Sequence, residues 1–177
     1  MKAPPTPIRS SVVETQIGSI IISWSTRGVI ALELPNENCD VQKSLVANKL
    51  GHVTWEECEI SRECGSQLVS YFEGKSFSFD EIPLDFDHRS DFEKAIYHAL
   101  RKTECGDTIS YGQLAKLAGH PNAARAVGRA MATNLVPVLI PCHRVILAGG
   151  KLGKYSGAGG EAFKQQLLTL EKSYAGD

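Results

Sequence analysis

A cysteine, a histidine and an arginine follow one another in the segment PVLIPCHRV, at Cys142, His143 and Arg144. A thiol reacts as a nucleophile only in its thiolate form, and a neighbouring imidazole or cationic side chain lowers the pKa of the thiol. Pro137 and Pro141 oppose a regular helix here and predict a rigid loop. The segment is therefore a candidate nucleophilic site, although a cysteine and a histidine that are simply packed in a core would give the same dipeptide.

The first 80 residues are rich in β-branched residues and predict a small α/β domain that serves as a scaffold. The runs SVVETQI, SIIISWS and GVIALEL are separated by turns, the first at Gly18, and predict an antiparallel meander. Two stretches with helical spacing follow, one at 40–50 behind Asp40 as its N-cap and one at 61–72. Residues 74–89 have no helical period, so we expect a linker there.

Helical patterns dominate residues 81–177, which we expect to form a second domain. The run DFEKAIYHALRKTECG predicts an amphipathic helix with acidic residues in its first turn and Gly106 just beyond its end. Two short helices at about 111–118 and 122–132, separated by a turn containing Gly119, match the helix-turn-helix pattern. The predicted fold class is therefore α+β, with a small N-terminal α/β domain and a mostly helical C-terminal domain.

Composition narrows the class of protein. No stretch of the 177 residues approaches the roughly 20 apolar residues of a membrane-spanning helix, and the start MKAPPTPIRS opposes a signal peptide. Five cysteines without a CxxC pair predict free thiols, no disulfide framework and no metal site. Residues 1–90 carry 8 Lys and Arg against 13 Asp and Glu, whereas residues 91–177 carry 11 against 7. We therefore expect an intracellular protein with an acidic scaffold and a basic working half.

Residues 90–172 resemble, element by element, the C-terminal domain of the O6-alkylguanine-DNA alkyltransferases. The PCHRV box at 141–145 is the signature of that family. The other matching elements follow in the same order, and they are SYGQLA at 110–115, AARAVGRAM at 123–131, Asn134, YSG at 155–157 and LLTLE at 167–171. Residues 1–90 match the family only loosely, as an α+β domain of the expected size. The resemblance implies a ribonuclease H-like N-terminal domain and a winged helix-turn-helix in the C-terminal domain.

The family resemblance also implies an activity. Such a protein repairs DNA by moving the alkyl group of O6-alkylguanine, and of O4-alkylthymine, onto its own cysteine, and each molecule reacts once. Cys142 matches the alkyl acceptor. His143 resembles the base that acts on it through a water, and Glu171 resembles the residue that orients the imidazole. Asn134 matches the residue that holds the active-site loop.

Further positions match residues that handle DNA and the damaged base. Guanine O6 lies within the base stack, so the reaction requires the nucleotide to be flipped out of the duplex. Arg125 matches the side chain that fills the vacated space, and Tyr111 the residue that crowds the target phosphate and protonates the departing guanine. The small residues that permit close approach to the minor groove are Ala123, Ala124, Ala126 and Gly128. The positions that match the pocket lining are Met131, Val145, Tyr155 and Ser156.

The chain departs from its relatives at a few positions. Leu135 stands where many relatives have proline, and Lys154 stands where glycine or asparagine is common. Ala132 lacks the basic side chain that some relatives place after the methionine, and the stretch GAGGEAFK holds two residues more than the shortest relatives. These differences concern the size of the pocket and the affinity for DNA.

We expect double-stranded DNA as the partner of a monomeric protein without cofactor or membrane contact. We also expect it in the cytoplasm, at the nucleoid in a bacterium or archaeon, or in the nucleus of a eukaryote. Three other classes compete with an alkyltransferase. A relative that only binds the lesion would lack Cys142. A cysteine hydrolase would need oxyanion donors such as a Gly-rich elbow, which PVLIPCHRV does not offer. A transcriptional regulator would place polar side chains, instead of small ones, on its second helix.

Overall fold

The protein forms two compact units in the computed structural model, which describes residues 7–35, 38–75, 78–157 and 159–174. One unit comprises the described residues of the ranges Met1–Glu73 and Phe79–Asp85, and the other comprises those of Gly74–Ser78 and Phe86–Asp177. The predicted α+β class is confirmed, because the first unit contains a small sheet and the second is mostly helical. No helix in the described part of the chain is long and apolar enough to cross a membrane.

The first unit is built on a four-stranded sheet. Strands β1 (Ile8–Thr15), β2 (Gly18–Ser25) and β3 (Gly28–Glu33) form the predicted antiparallel meander. Strand β4 (Val53–Trp55) was not predicted and pairs in parallel with β1, which gives the order β3-β2-β1-β4. The isoleucines of β2 are fully buried and form the centre of this unit's core.

Two helices complete the first unit, α1 (Cys39–Leu50) and α2 (Glu59–Phe72). The predicted N-cap of α1 is wrong by two residues, because Asp40 is already helical and its backbone N–H donates to the side chain of Asn38. The predicted linker at 74–89 is in part packed structure. Pro83 accepts a hydrogen bond from the backbone of Val29, and Leu84 pairs with the same residue.

The second unit contains four α-helices among its described residues. Their bounds are α3 (Asp91–Arg101), α4 (Tyr111–Leu117), α5 (Ala124–Ala132) and α6 (Gly160–Tyr174). Ser90 and Glu93 form a capping box that begins α3, and α4 begins in the same way with Ser110 and Gln113. The sequence predicted that Gly106 lies just beyond the end of α3 as its cap. The helix ends earlier, at Arg101, and Gly106 lies in a following turn.

Helices α4 and α5 contact each other and are joined by residues 118–123. The predicted second helix began at 122, but Asn122 has a φ of 72° and lies in the left-handed region. A residue in that conformation cannot continue a right-handed helix, so α5 begins at Ala124. Two-residue strands β5 (Ile109–Ser110) and β6 (Val145–Ile146) pair in parallel. Strand β5 directly precedes α4, and β6 directly follows the segment that carries Cys142. The use of this helix pair as a winged helix-turn-helix stays a prediction.

Candidate active site around Cys142

A single 3-10 turn, Cys142–Arg144, carries the cysteine and the histidine of the predicted site. The turn begins after Pro141, whose carbonyl accepts from the backbone N–H of Arg144 at 2.9 Å. It leads directly into β6, which pairs with β5. Cys142 is only 8% exposed, and His143 is fully buried. The prediction that this segment forms no regular α-helix is confirmed, since its only helical element is this three-residue 3-10 turn, and its rigidity stays a prediction.

Asn134 holds the loop that precedes this turn. Its side-chain oxygen accepts from the backbone of Val136 at 3.0 Å, and its Nδ2 donates to the carbonyl of Ile140 at 3.0 Å. Between these two points Val138 has a φ of 74°, an unfavourable conformation for a β-branched residue. Asn134 Nδ2 also lies 3.2 Å from the Cys142 sulfur as a donor. The same amide therefore closes a strained loop and contacts the candidate nucleophile.

Glu171 of α6 lies beneath the turn with both carboxylate oxygens hydrogen-bonded. Its Oε1 is 2.7 Å from His143 Nε2, and its Oε2 accepts from the backbone N–H of Gly106 at 3.1 Å. Arg144 donates from Nε to Oε2 at 2.8 Å and from Nη2 to Oε1 at 3.0 Å. Arg144 also donates to the carbonyl of Thr103. The structure thus brings Glu171 to His143, as the resemblance implied, and adds Arg144 as a second partner.

The protonation states of this cluster follow from burial and charge. Burial alone would raise the pKa of Glu171, but hydrogen bonds and charges from His143 and Arg144 outweigh it and hold the pKa well below 4.5. Burial lowers the pKa of His143 from 6.5, and the nearby Arg144 charge adds to this, although Glu171 opposes it. At neutral pH the pair is therefore a carboxylate and a neutral imidazole.

The tautomer of His143 is fixed by this pair. Because the ionised Glu171 can only accept, Nε2 of His143 must carry the proton that it shares. The other ring nitrogen, Nδ1, is buried and has no hydrogen-bond partner among the described residues. It therefore presents a free lone pair, which is the requirement for a base.

Opposing effects act on the pKa of the Cys142 thiol. Burial raises its pKa above 9.0, whereas the hydrogen bond from Asn134, the charge of Lys164 and the hydroxyl of Tyr155 act in the opposite direction. Lys164 of α6 is itself buried and donates from Nζ to the carbonyls of Val145 at 2.6 Å and Leu152 at 2.7 Å. The net effect of burial is a protonated resting thiol that needs a base to become a thiolate.

A cavity of about 410 Å³ opens beside Cys142. The residues that line it are Tyr111, Gly128, Met131, Ala132, Cys142, Lys154, Tyr155 and Ser156. Four of the predicted pocket and substrate residues thus border one space, namely Tyr111, Met131, Tyr155 and Ser156. Val145 is fully buried and is not among these lining residues, so its predicted role in the pocket stays a prediction.

Two tyrosines border this cavity as protonated phenols. Burial, and then the charge of a Cys142 thiolate, raise the pKa of Tyr111 and of Tyr155. The hydroxyl of Tyr155 is close enough to Cys142 to affect its pKa, but their geometry is not that of a standard hydrogen bond. The ring of Tyr155 folds over Gly157, where an added Cβ would lie 2.5 Å from the ring. A glycine is therefore required at 157 for this placement of the ring.

Helix α5 carries the residues that the sequence analysis assigned to DNA. Arg125 is exposed, and no hydrogen bond or ion pair involves it in the described part of the chain. Ala124 and Ala126 flank it, Ala123 is the N-cap residue, and Gly128 borders the cavity with the Tyr111 ring 3.9 Å from where a Cβ would be. The helix therefore presents an unpaired cation and a surface of small side chains close to Cys142.

Burial also raises the pKa of two other thiols. Burial and the charge of Glu63 raise the pKa of Cys64 to about 12, and burial and the charge of Glu171 raise the pKa of Cys105 to about 11. Among the described residues no group of histidine, cysteine and carboxylate side chains could hold a metal ion.

Two residues of the site were missed by the sequence analysis. Arg144 was noted only as a neighbour of the dipeptide, and Lys164 was not considered. Their roles depend on the position of α6, which places Lys164 and Glu171 seven residues apart on one face, two turns of helix from each other. A lysine and a glutamate at that spacing are common on exposed helices, so the pattern by itself carries no signal.

The fold and the site define a protein with a buried thiol nucleophile, backed by a histidine and a carboxylate and opening on a cavity. Residues 91–173 match the family described as 6-O-methylguanine DNA methyltransferase, DNA binding domain, and residues 8–86 match its ribonuclease-like domain. The chain belongs to the methylated-DNA–protein-cysteine methyltransferase family.

Individual relatives agree over most of the chain. The methylated-DNA–protein-cysteine methyltransferase of Methanosarcina acetivorans is 36% identical over 92% of this chain and 97% of its own length. The mouse protein of the same name is 35% identical over 93% of this chain and 81% of its own length. The crystal structure of Mycobacterium tuberculosis OGT in complex with DNA is similar with a TM-score of 0.77 and 34% identity, covering 94% of each chain.

Proposed function

We propose that this chain repairs DNA by direct reversal, moving the alkyl group of O6-alkylguanine, and of O4-alkylthymine, to the sulfur of Cys142. The observation that carries the proposal is the position of this thiol, which borders the cavity while Asn134 donates to its sulfur. His143 follows the thiol in the same turn and is held by Glu171, so a proton acceptor is adjacent in the chain and the cavity offers space for a nucleobase. The family to which the chain belongs supports the same reaction.

In the proposed reaction the Cys142 thiolate attacks the alkyl carbon, so that an S–C bond forms as the bond between that carbon and O6 breaks. The electron pair of the broken bond stays on the guanine, which leaves as an anion and takes up a proton. The product is a thioether, which has no ready route back to a thiol. Each molecule therefore reacts once and is consumed.

We assign the two proton transfers to His143 and Tyr111. Nδ1 of His143 accepts the thiol proton through a water, while Glu171 keeps the ring in the required tautomer. Tyr111 borders the cavity with its pKa raised, so it is a protonated phenol that can donate to the departing guanine. Asn134 holds the loop and donates to the sulfur, which favours the thiolate.

In this proposal, α5 is the helix that contacts DNA. Flipping the damaged nucleotide costs a few kcal/mol of unstacking, and Arg125 would fill the gap that it leaves. Small residues on the same helix, Ala124 and Ala126 beside it and Gly128 one turn on, would let the helix approach the minor groove closely. We assign this work to residues 81–177 as a domain, with residues 1–80 as its scaffold. We expect a monomer acting in the compartment that holds the DNA.

Intact mass after incubation with a duplex containing O6-methylguanine tests the proposal. We expect each chain to gain one methyl group, confined to the peptide that contains Cys142. Cys142→Ala should transfer nothing and still bind DNA, whereas Cys105→Ala should transfer normally. Methylation of another cysteine, or more than one turnover per chain, would overturn the proposal.

A further inference from the structure

Among the described residues that line the cavity beside Cys142, one has a charged side chain, and it is a lysine. Lys154 lines the cavity together with Cys142 and Ser156, and no described residue of the lining is a carboxylate. Lys154 is exposed and forms no ion pair with another described residue. Its ammonium group is therefore available to an anion that enters the cavity.

A second, open groove continues from the same place. It is lined by Tyr111 and Lys154, which also border the cavity, and by Lys151 and Glu161, which do not. The two lysines thus differ in position, because only Lys154 reaches the space that holds the thiol. A cation that served only the DNA backbone would not need to border that space.

The backbone around Lys154 is held on both sides. The carbonyl of Leu152 accepts from the buried Lys164, and the ring of Tyr155 folds over Gly157. These contacts fix the chain on either side of Lys154 next to the cavity, while its exposed side chain is free to turn toward an anion there.

We propose that Lys154 selects O6-alkyl groups that carry a negative charge, of which carboxymethyl is the smallest. This rests on the proposed function. A thiolate that attacks a carbon bearing a carboxylate meets like-charge repulsion, and a cation at the same cavity offsets it. In the transfer the CH₂–O6 bond breaks and the S–CH₂ bond forms as with a methyl group, and the carboxylate stays ionised beside Lys154.

Two pairs of isosteric substrates test this role. The first pair is a duplex containing O6-carboxymethylguanine and the same duplex containing its neutral carbamoylmethyl analogue. The second pair consists of the free bases O6-(4-carboxybenzyl)guanine and O6-(4-carbamoylbenzyl)guanine, which contain no phosphate. For each pair the ratio of the rate constants for transfer to Cys142 gives the preference for the charged group.

Lys154→Met should lower this ratio about fivefold in both pairs, the size expected for a partly exposed charge pair. Lys154→Arg should restore the ratio, and Lys151→Met, the matched change in the outer groove, should leave it unchanged. The rate on each neutral substrate checks that the variants are folded and active.

Three results would overturn the inference. The first is an unchanged ratio in Lys154→Met. The second is an equal decrease of the ratio in Lys151→Met, which would indicate that the positive charge of the whole surface acts, and not Lys154 in particular. Lys154→Met could instead slow both duplexes alike and leave both free bases unaffected, which would make Lys154 a phosphate contact. If the unaltered protein transfers nothing from a duplex containing O6-methylguanine, the proposed function itself fails, and that result is distinct from the other three.

Discussion

Arg144 holds both carboxylate oxygens of Glu171, with Nε 2.8 Å from Oε2 and Nη2 3.0 Å from Oε1. A planar guanidinium matched to a carboxylate in this way is a strong and directional contact. Because Arg144 already balances the charge of Glu171, the imidazole of His143 need not become cationic to satisfy that carboxylate. Burial is the main cause of the lowered pKa of His143, and the Arg144 charge adds to it, so the histidine beside Glu171 stays neutral and can serve as a base.

Glu171→Gln should both slow alkyl transfer and destabilise the protein. The amide no longer fixes the tautomer of His143, and Arg144 loses the carboxylate charge that it faces. We expect transfer to fall by at least about tenfold, within what a general base contributes. Its pH dependence should move upward, because a weaker base leaves the Cys142 thiol protonated to higher pH. The free energy of unfolding should fall by about 3 kcal/mol.

Single-turnover rates across pH and denaturant unfolding measure these two effects. Glu104→Gln is the control, since Glu104 is an exposed glutamate of the same unit. If the Glu171 variant retains the original rate and pH profile while losing only stability, the residue is structural and has no part in orienting the base.

The buried pair should also make stability depend on pH in two steps. His143 has a folded pKa below its unfolded value of 6.5, so the unfolded chain binds the proton first and stability falls as pH drops below 6.5. Glu171 has a folded pKa below 4.5, so its contribution is fully present above 4.5 and is lost as pH falls through the folded pKa.

Unfolding free energies measured against pH separate the two groups. His143→Gln should remove the dependence that begins at 6.5, and Glu171→Gln should flatten the dependence below 4.5. A His143 variant with the same slope as the original protein between these values would contradict the assignment of a neutral buried imidazole.

The extent to which sequence predicts this molecule can be judged from particular residues. The meander was predictable because β-branched runs alternate with glycine turns, and α3 because its apolar spacing and charged ends are local signals. Strand β4 was not, since three residues at a sheet edge give too short a pattern. The start of α5 was misplaced because Asn122 has a left-handed backbone conformation. Asparagine permits this conformation but does not require it, so the residue type alone does not predict it.

The residues of the site also differ in whether the sequence predicts them. The Cys142–His143 dipeptide is visible in the sequence because its members are adjacent, whereas Glu171 was identified only through resemblance to a family. Lys164 was missed because its effect on the thiol requires α6 to lie against the 3-10 turn, a tertiary contact that no local pattern encodes.

Asn134→Ala should raise the pKa of the Cys142 thiol. The amide donates to the sulfur at 3.2 Å, which stabilises the thiolate more than the thiol, so its loss favours the protonated form. The rate of alkylation of Cys142 by iodoacetamide, measured across pH, should therefore show its midpoint displaced to higher pH and a lower rate at neutral pH.

The loop at 135–140 also loses its clamp in that variant, so thermal unfolding is measured beside the reaction. Asn134→Asp provides a second test, because a carboxylate next to the sulfur should raise the thiol pKa further. An unchanged iodoacetamide profile in both variants would show that the contact with the sulfur has no influence on ionisation.

Arg125→Ala should slow repair of duplex DNA while sparing the reaction with free O6-benzylguanine. The side chain is exposed on α5 between Ala124 and Ala126, with no partner in the described part of the chain. If it fills the gap left by the flipped nucleotide, its loss penalises only substrates that must be unstacked, at a cost of a few kcal/mol. Arg129→Ala, which changes an exposed arginine one turn further along the same helix, is the matched control.

A phosphate contact at Arg125 would instead weaken binding on all sequences and reduce the salt slope by about 1. The rate at saturating DNA decides between the two, because an affinity defect disappears at saturation and a flipping defect remains. Recovery of the original rate at saturation would exclude a role for Arg125 in flipping.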